Sequence, residues 1–505
     1  MSERPKRGKV YLVGAGPGDP GLLTVKAARI IANADALVYD YLAAAPIVAL
    51  ASPDCERIYV GKRAGAHTLA QTEITALLVR LGLAGKRVVR LKGGDVFVFA
   101  RGGEEAAELH AAGVPFEIVP GITSAIAAPA YAGIPITHRD HNTSFTIATG
   151  HEDPTKGFSS LDFAKLANPA QTLVFLMAMG NLRGIAQRLI ESGLPADTPV
   201  AVVRDGTKPQ QQTLVATLAS IADEVARVGL GAPAIVVIGD VVRERERIRW
   251  FDSSPLFGKR VLVTRPAGQA GEFAARLWEA GAEPVLAPTI EIGPPDDEAA
   301  ARDAVRNVRD YAWLIFTSRN GVTAFFDRLR AGGADARALG GVRVAAIGPA
   351  TAEQLAAFGV HPDFVPVRFV SEDVADGLLA HTCAGDRMLL FRAQAARDVL
   401  PERLRASGRP TDAVAAYRTR FVVTPEIAER ARAADVWTFT SASTVYGLGV
   451  NLPDLAAAVR GRLIACIGPV TATAARERGL RVDLVADEFT VDGLLDALER
   501  APAGA

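Results

Sequence analysis

Short runs of apolar and β-branched residues alternate along this chain with segments whose apolar positions recur at helical spacing. The runs Val10–Val13, Ala36–Tyr39, Arg87–Leu91 and Phe116–Val119 predict strands, while Thr24–Ala34 and Thr123–Ala132 predict helices. This rhythm is that of an α/β fold. The predicted strands end in Gly, Pro, Asp or Thr/Ser clusters, where open α/β sheets place ligands between strand ends and helix N-termini.

The pattern breaks near the middle. Arg243–Arg260, reading RERERIRWFDSSPLFGKR, passes from a charged run through an aromatic pair to a Ser-Pro stretch, and predicts a linker over 246–257 before a new strand begins at Val261. Beyond it the chain repeats itself. WLIFTSRNGV from Trp313 is echoed by VWTFTSASTV from Val436, and RVAAIGPATAEQLAAFGV from Arg343 by RLIACIGPVTATAARERGL from Arg462, each about 120 residues later. Two similar lobes follow, each with strands opening into helices through Thr-Ser and Gly-Pro-x-Thr turns. Such turns merely begin helices in many proteins. Repeated in pairs, their hydroxyls and free backbone N–H groups predict a cleft for an anionic ligand.

At 505 residues the chain is long enough for about three or four compact units. With 56 basic and 56 acidic residues in balance and 49% hydrophobic content, composition indicates a folded, soluble protein and gives no electrostatic reason to expect nucleic acid or an anionic membrane. Cys55, Cys383 and Cys466 are too few and too scattered for a disulfide framework or a zinc cage, which fits a reducing cytoplasm. The basic start lacks a secretory apolar stretch, and Ala36–Ala51, interrupted by Asp40 and Pro46, falls short of a membrane span. His138 and His141 lie three apart in THRDHN without evident partner ligands, so no metal is expected.

The first glycine loop, GAGPGDPGLLT over Gly14–Thr24, follows a strand and precedes a helix. Its spacing excludes a dinucleotide fingerprint, because the third glycine of G-x-G-x-x-G would fall at Asp19. Further loops read LKGGD (Leu91–Asp95), RGGEE (Arg101–Glu105), PGITSA (Pro120–Ala125), ATGHE (Ala148–Glu152) and DGT (Asp205–Thr207). A glycine pair beside a carboxylate lets backbone approach a ligand closely while offering an acceptor.

Together and in this order, GAGPGDPGLLT, RLKGGD, RGGEE, VPGITSA and AYAGIPITHR resemble uroporphyrinogen-III C-methyltransferase, of the tetrapyrrole (corrin/porphyrin) methyltransferase family, over about residues 8–250. The resemblance implies that S-adenosylmethionine lies folded between two α/β subdomains, touching Pro17, Gly93, Gly94, Asp95, Val98, Thr123, Ser124, Met177 and Gly206. It also implies that Asp40 accepts a proton and Lys62 donates one. Carbon alkylation of a pyrrole leaves a cationic ring that must lose a proton, which gives such a carboxylate work to do. Val96 and Ala100 stand where the family commonly shows proline and glycine, which is expected to reshape the loop beneath the cofactor.

The motifs TSRNGV, IGPATA, FTSAST and IGPVTA make the second half, about residues 258–500, similar to uroporphyrinogen-III synthase. That family closes hydroxymethylbilane into uroporphyrinogen III with inversion of the last ring. Gripping a polycarboxylate suits hydroxyls, amides and arginine forks. The repeat places Thr317, Ser318, Thr351, Thr440, Ser441 and Thr471 for this task, with Arg265 and Arg392 at strand ends. The resemblance makes Tyr417 a candidate proton donor. It further implies one lobe from 258–292 with 424–500 and another from 293–423, the chain crossing at Ile292–Asp296 and at Tyr417–Val423.

The expectation is thus an α/β chain in which a two-subdomain tetrapyrrole methyltransferase over 1–245 precedes a bilobal synthase-like module. It would cyclise hydroxymethylbilane and methylate uroporphyrinogen III twice to precorrin-2, releasing S-adenosylhomocysteine, on the route to siroheme and cobalamin. The resemblance also implies a homodimer through the methyltransferase half. The alternatives are a methyltransferase for a later corrin, or one joined to a non-catalytic two-lobed sensor.

Overall fold

The computed structural model describes residues 8–61, 70–151, 161–366 and 371–501. They form two compact units, one of residues 1–260 with 275–284, the other of 261–274 with 285–505.

The first unit opens with an all-parallel sheet in the order Glu56–Tyr59, Ala36–Tyr39, Arg87–Lys92, Lys9–Gly14, Phe116–Val119. Both faces are covered, so its strands are almost continuously apolar. Val10, Leu12, Val38 and Val88 pack on one side against Leu78, Leu81 and Leu109, while Val13, Leu37, Val89 and Leu91 pack on the other against Ile31 and Ile47. The expected strands Ala36–Tyr39 and Phe116–Val119 and the helices beginning after Thr24 and Thr123 all form; both threonines cap their helices, accepting from Ala27 N (3.1 Å) and Ala125 N (3.3 Å).

A second sheet runs Ser144–Thr149, Gln171–Leu176, Ala234–Ile238, Pro199–Arg204, Gln212–Thr217, its first pair parallel and the others antiparallel. The segment predicted as a linker is packed within this unit rather than free. Phe251 is 2% exposed and meets Tyr131 edge-on at 4.8 Å, and Trp250 Nε1 donates to Ala130 O at 3.1 Å. Burial of Phe251 holds the segment in place, while Trp250, 53% exposed, contributes its hydrogen bond and ring contact.

The second unit contains two more sheets. One is ordered Glu283–Leu286, Arg260–Val263, Val436–Phe439, Leu463–Cys466, Leu484–Val485, and the other Ile290–Gly293, Thr411–Phe421, Met388–Ala393, Trp313–Phe316, Arg343–Ala346. The strand Arg260–Val263 therefore pairs with Val436–Phe439, far along the chain, and Ile290–Gly293 pairs antiparallel with Thr411–Phe421. The sequence repeat is a structural one. Ser318 and Ser441 cap equivalent helices by accepting from Gly321 N (3.1 Å) and Thr444 N (3.4 Å). Asp363 and Asp483 accept from Val344 N (2.7 Å) and Ile464 N (2.9 Å), pinning the starts of equivalent strands.

Candidate active sites

In the first unit, three glycine loops are knotted together. Gly16 and Gly94 exchange both backbone hydrogen bonds, at 3.1 and 2.7 Å. Gly121 passes so close that a Cβ there would sit 2.3 Å from Gly94 O. Asp95 ties the knot: Oδ1 accepts from Phe97 N (2.8 Å) and Val98 N (3.1 Å), and Oδ2 from Gly121 N (3.0 Å). Its carboxylate is thus committed to backbone, a positioning task that the reading as a ligand acceptor did not foresee. Val96, one of the two departures from the family pattern, is fully buried, and its carbonyl accepts from Gly102 N at 3.2 Å.

Behind the knot lies a cavity of about 410 Å³, within the size range of small-molecule sites. Its walls bring together Pro17, Gly93, Gly94, Asp95, Val98, Thr123, Ser124, Met177 and Gly206, and Asp40 beside them. Lys62 lies outside the described residues. Backbone strain gathers here as well. The positive-φ non-glycine residues among the described residues are Phe99 (52°), Arg101 (59°), Met177 (54°), Asp205 (48°) and Thr207 (72°); four line the cavity and Thr207 follows its Gly206. Such conformations cost about 1–3 kcal/mol each and persist where surrounding structure enforces them.

The floor of the cavity holds a buried charge network that sequence reading missed. Arg90 Nη2 donates to Asp40 Oδ2 at 3.1 Å, and its Nε to Glu105 Oε1 at 3.3 Å. The same Glu105 oxygen accepts from Lys92 Nζ (3.0 Å) and Gln71 Nε2 (2.8 Å), leaving its buried Oε2 without a partner. Burial, and secondly the Arg90 charge, pushes the Lys92 ammonium below the usual lysine value. Leu42 N donates to Asp40 Oδ1 at 3.0 Å, so this carboxylate is held at both oxygens on the cavity wall. RLKGGD and RGGEE carried the signal, since they supply Arg90, Lys92 and Glu105.

His138 and His141 gain a neighbour that was invisible in sequence. Glu244 joins them, the three offering ligand atoms within 4.8 Å of one another, and His141 Nε2 lies 2.9 Å from Glu244 Oε1. That hydrogen bond holds the Glu244 carboxyl below its usual range.

The second unit has a cavity of about 1270 Å³, lined by Pro266–Gln269, by arginines 302, 306, 319 and 328, and by Tyr417. Tyr417 alone of the residues predicted for this half is on its wall; Tyr417 is 8% exposed, and its OH lies 3.0 Å from Ser318 Oγ. Thr317, Ser318, Thr440 and Ser441 are half-buried where strands give way to helices. Thr351 and Thr471 are buried in the first turns of their helices, at 6% and 4% exposure, because the apolar side of each helix begins there. Arg392 is spent on its own loop, donating to Arg397 O (2.7 Å) and Ala396 O (3.2 Å) and pairing with Asp398. Arg265 is 8% exposed, and burial, with the charge of Arg319 next, lowers its pKa.

Residues 9–222 match the family model of tetrapyrrole (corrin/porphyrin) methylases, and residues 271–496 that of uroporphyrinogen-III synthase HemD. A porphyrin biosynthesis protein HemD of Ruminiclostridium josui is 39% identical over 499 residues, covering 98% of each chain. A uroporphyrinogen-III C-methyltransferase of Bacillus subtilis is 43% identical over 334 residues, 66% of this chain and 68% of its own. A solved uroporphyrin-III C-methyltransferase of Thermus thermophilus, complexed with S-adenosylhomocysteine, is 41% identical over 47% of this chain and 99% of its own, with a TM-score of 0.41. The chain belongs to the family of fused tetrapyrrole-biosynthesis enzymes in which a tetrapyrrole methylase precedes a uroporphyrinogen-III synthase.

Proposed function

We propose that the second unit closes hydroxymethylbilane to uroporphyrinogen III and that the first methylates this product twice, giving precorrin-2. The observation that carries the reading is the convergence of Asp40 and nine loop residues, scattered from Pro17 to Gly206, on one cavity. That cavity fits S-adenosylmethionine: its lining combines the apolar side chains of Leu176, Met177, Val203 and Ile235 with the glycine backbone of Gly93 and Gly94 and the hydroxyl-bearing turn Thr123–Ser124. When bound, this cosubstrate supplies an electrophilic methyl group on sulfur and leaves as S-adenosylhomocysteine.

The chain's own task is orientation and removal of a proton. Asp40, fixed by Arg90 and Leu42 N, takes the proton that the alkylated pyrrole carbon must lose. Lys62 keeps the donor role that the resemblance gives it. Arg101, whose side chain is 57% exposed and paired with Glu104, stands at the rim, where a substrate carboxylate can reach it. In the second unit Tyr417 donates to the departing hydroxymethyl oxygen, and the arginines of the large cavity hold the acidic side chains.

The protein works as a homodimer through its methyltransferase half, in the cytoplasm, where its free cysteines stay reduced. No helix among the described residues is long and apolar enough to cross a membrane. Sedimentation of the full chain tests the dimer. Hydroxymethylbilane supplied anaerobically with S-adenosylmethionine should yield a macrocycle heavier by two methyl groups, with its last ring inverted; without the methyl donor, uroporphyrinogen III alone should form. Ligand binding without turnover of hydroxymethylbilane would replace the synthase with a sensor, and failure to methylate uroporphyrinogen III would move the first unit to a later corrin.

A further inference from the structure

Two turns of the first unit, each anchored independently in the core, bring three metal-ligating side chains together. The first is His138–Asn142. Asn142 is 8% exposed; its Oδ1 accepts from His138 N at 2.8 Å, and its amide donates to Ile136 O (2.9 Å), Ser144 O (3.0 Å) and Thr172 Oγ1 (2.9 Å). His141 N and Asn142 N both donate to His138 O at 3.0 Å, so the two histidines stand one turn apart on the same side, their rings 4.9 Å from each other. The second turn is Asp240–Glu244, whose Val241 and Val242 are buried and whose Glu244 is 8% exposed.

An ion pair between His141 and Glu244 accounts for their contact at 2.9 Å but gives His138 no task. Among the described residues the ring nitrogens of His138 meet only Asp140, through a long hydrogen bond from its N (3.3 Å) and its exposed carboxylate at 3.9 Å. A protonated ring there would repel a protonated His141, whereas a neutral one adds a lone pair to the cluster. Two imidazoles and a carboxylate are the donor set of divalent zinc and its first-row neighbours. Ligand bonds of about 2.0–2.1 Å in tetrahedral array space the donor atoms about 3.4 Å apart. The three ligand atoms lie within 4.8 Å of one another, so closing around an ion needs shifts of about an ångström. The histidine side chains, 33% and 22% exposed, have room to make them. Arg247, 3.5 Å from Glu244 Oε2, is a solvated competitor with a side chain 77% exposed.

We propose that His138, His141 and Glu244 bind one divalent transition-metal ion of the zinc class, with water completing its coordination. This departs from the expectation of no metal, which saw the histidines without the glutamate. None of the three lines the cavity of about 410 Å³, so the ion is a clamp and not a catalyst. It joins the turn that leads into the strand Ser144–Thr149 to the segment carrying Arg245, whose guanidinium donates to Ala132 O and pairs with Asp252. The clamp thereby fixes the start of the packed stretch that ends the first unit.

The test uses the full chain, stripped with a chelator, and zinc ion alone as the probe in titration calorimetry and thermal melting. One equivalent should bind and raise the melting temperature, because a ligand of the folded state stabilises it by mass action. His138→Ala should weaken that binding by about tenfold or more, since loss of a mere supporting partner already costs that much in metal sites. It takes no part in the contact between His141 and Glu244, so the stripped variant should melt with the stripped parent. Glu244→Gln should weaken zinc binding comparably, while Cys383→Ser, at an exposed free thiol, should leave it unchanged. Equal zinc affinity and an equal zinc-dependent rise in melting for His138→Ala and the parent would overturn the site and leave a plain ion pair. Binding lost in Cys383→Ser instead would place the ion elsewhere and overturn it as well. A stripped chain that stays folded yet methylates only once zinc is returned would overturn the clamp by making the ion catalytic.

Discussion

Arg90 reaches Asp40 across the cavity floor, its Nη2 3.1 Å from Asp40 Oδ2, while Leu42 N donates to the other carboxylate oxygen. A merely solvated strand-end carboxylate would not be held at both oxygens. Asp40→Asn keeps this shape and removes the base. Methylation should fall by about 10²–10⁴-fold, the usual worth of a positioned general base. Mass analysis of the macrocycle formed from hydroxymethylbilane should then show unmethylated uroporphyrinogen III made at the normal rate.

Glu105 is fully buried and is the common acceptor for Arg90, Lys92 and Gln71. Replacing it with Gln leaves the buried Arg90 and Lys92 short of a counter-charge, since Asp40 pairs with Arg90 and not with Lys92. Denaturant unfolding of Glu105→Gln should show a loss of about 3–5 kcal/mol, the penalty for breaking a buried ion pair on one side. Glu104→Gln, one residue away on an exposed pair with Arg101, should cost little stability by the same measurement.

What could be read in the sequence was whatever has a strong local signature. Apolar runs gave four of the five strands of the first sheet, missing the half-polar edge strand Glu56–Tyr59, and glycine loops at their ends named residues that do share a cavity. The Asp40–Arg90–Glu105 network escaped because its partners are 15 to 50 residues apart and joined only by sheet order. Glu244 is 103 residues from His141, which hid it likewise. In the second half the repeat located helix starts correctly, but a helix start does not say which hydroxyl faces the cleft, and Thr351 and Thr471 turned inward. The strand-end arginines Arg265 and Arg392 could not be told apart there, because all the lysines lie at or before Lys259 and arginine serves the basic purposes beyond it. Only burial and the lack of a partner distinguish Arg265 from Arg392.

The packed segment after residue 245 predicts its own importance. Phe251 touches Tyr131, Trp250 and Phe257 at ring separations of 4.8, 5.6 and 5.5 Å, and Tyr131 OH donates to Asp19 Oδ2 at 2.6 Å in the first glycine loop. Phe251→Ala should destabilise the first unit by about 3–5 kcal/mol, as emptying a buried aromatic site does. Calorimetric melting of the full chain, which should resolve the loss, would instead show no change if this stretch were a free tether.

Acid stability offers a further check. Glu117 accepts from Lys26 and Lys9, and these hydrogen bonds, in that order, lower its carboxyl from 4.5 to about 2. A carboxylate whose pKa falls on folding adds stability that is fully present above the unfolded value and lost as pH drops through the folded one. Stability should therefore decline between about pH 4.5 and pH 2 with a contribution from this residue. In Glu117→Gln, urea unfolding across that window should be less steeply pH-dependent than in the parent chain. Because the three side chains are 29% to 50% exposed, salt should diminish the difference.

The Tyr417 hydroxyl lies 3.0 Å from Ser318 Oγ, which itself accepts from Gly321 N at 3.1 Å. The serine's commitment as a helix cap fixes where its remaining hydrogen-bonding capacity points, and so steadies the phenol on the wall of the large cavity. Tyr417→Phe keeps the ring and its packing, and the cap survives without the phenol, so the fold should be little disturbed. If the phenol donates a proton as the bilane loses its hydroxyl, closure should slow by on the order of a hundredfold, while methylation of added uroporphyrinogen III continues unchanged. Ring-closure rates and methyl incorporation measured on the same preparation separate the two halves. Equal closure by Tyr417→Phe and the parent chain would reduce Tyr417 to a packing residue and pass the donor's role to another group on the cavity wall.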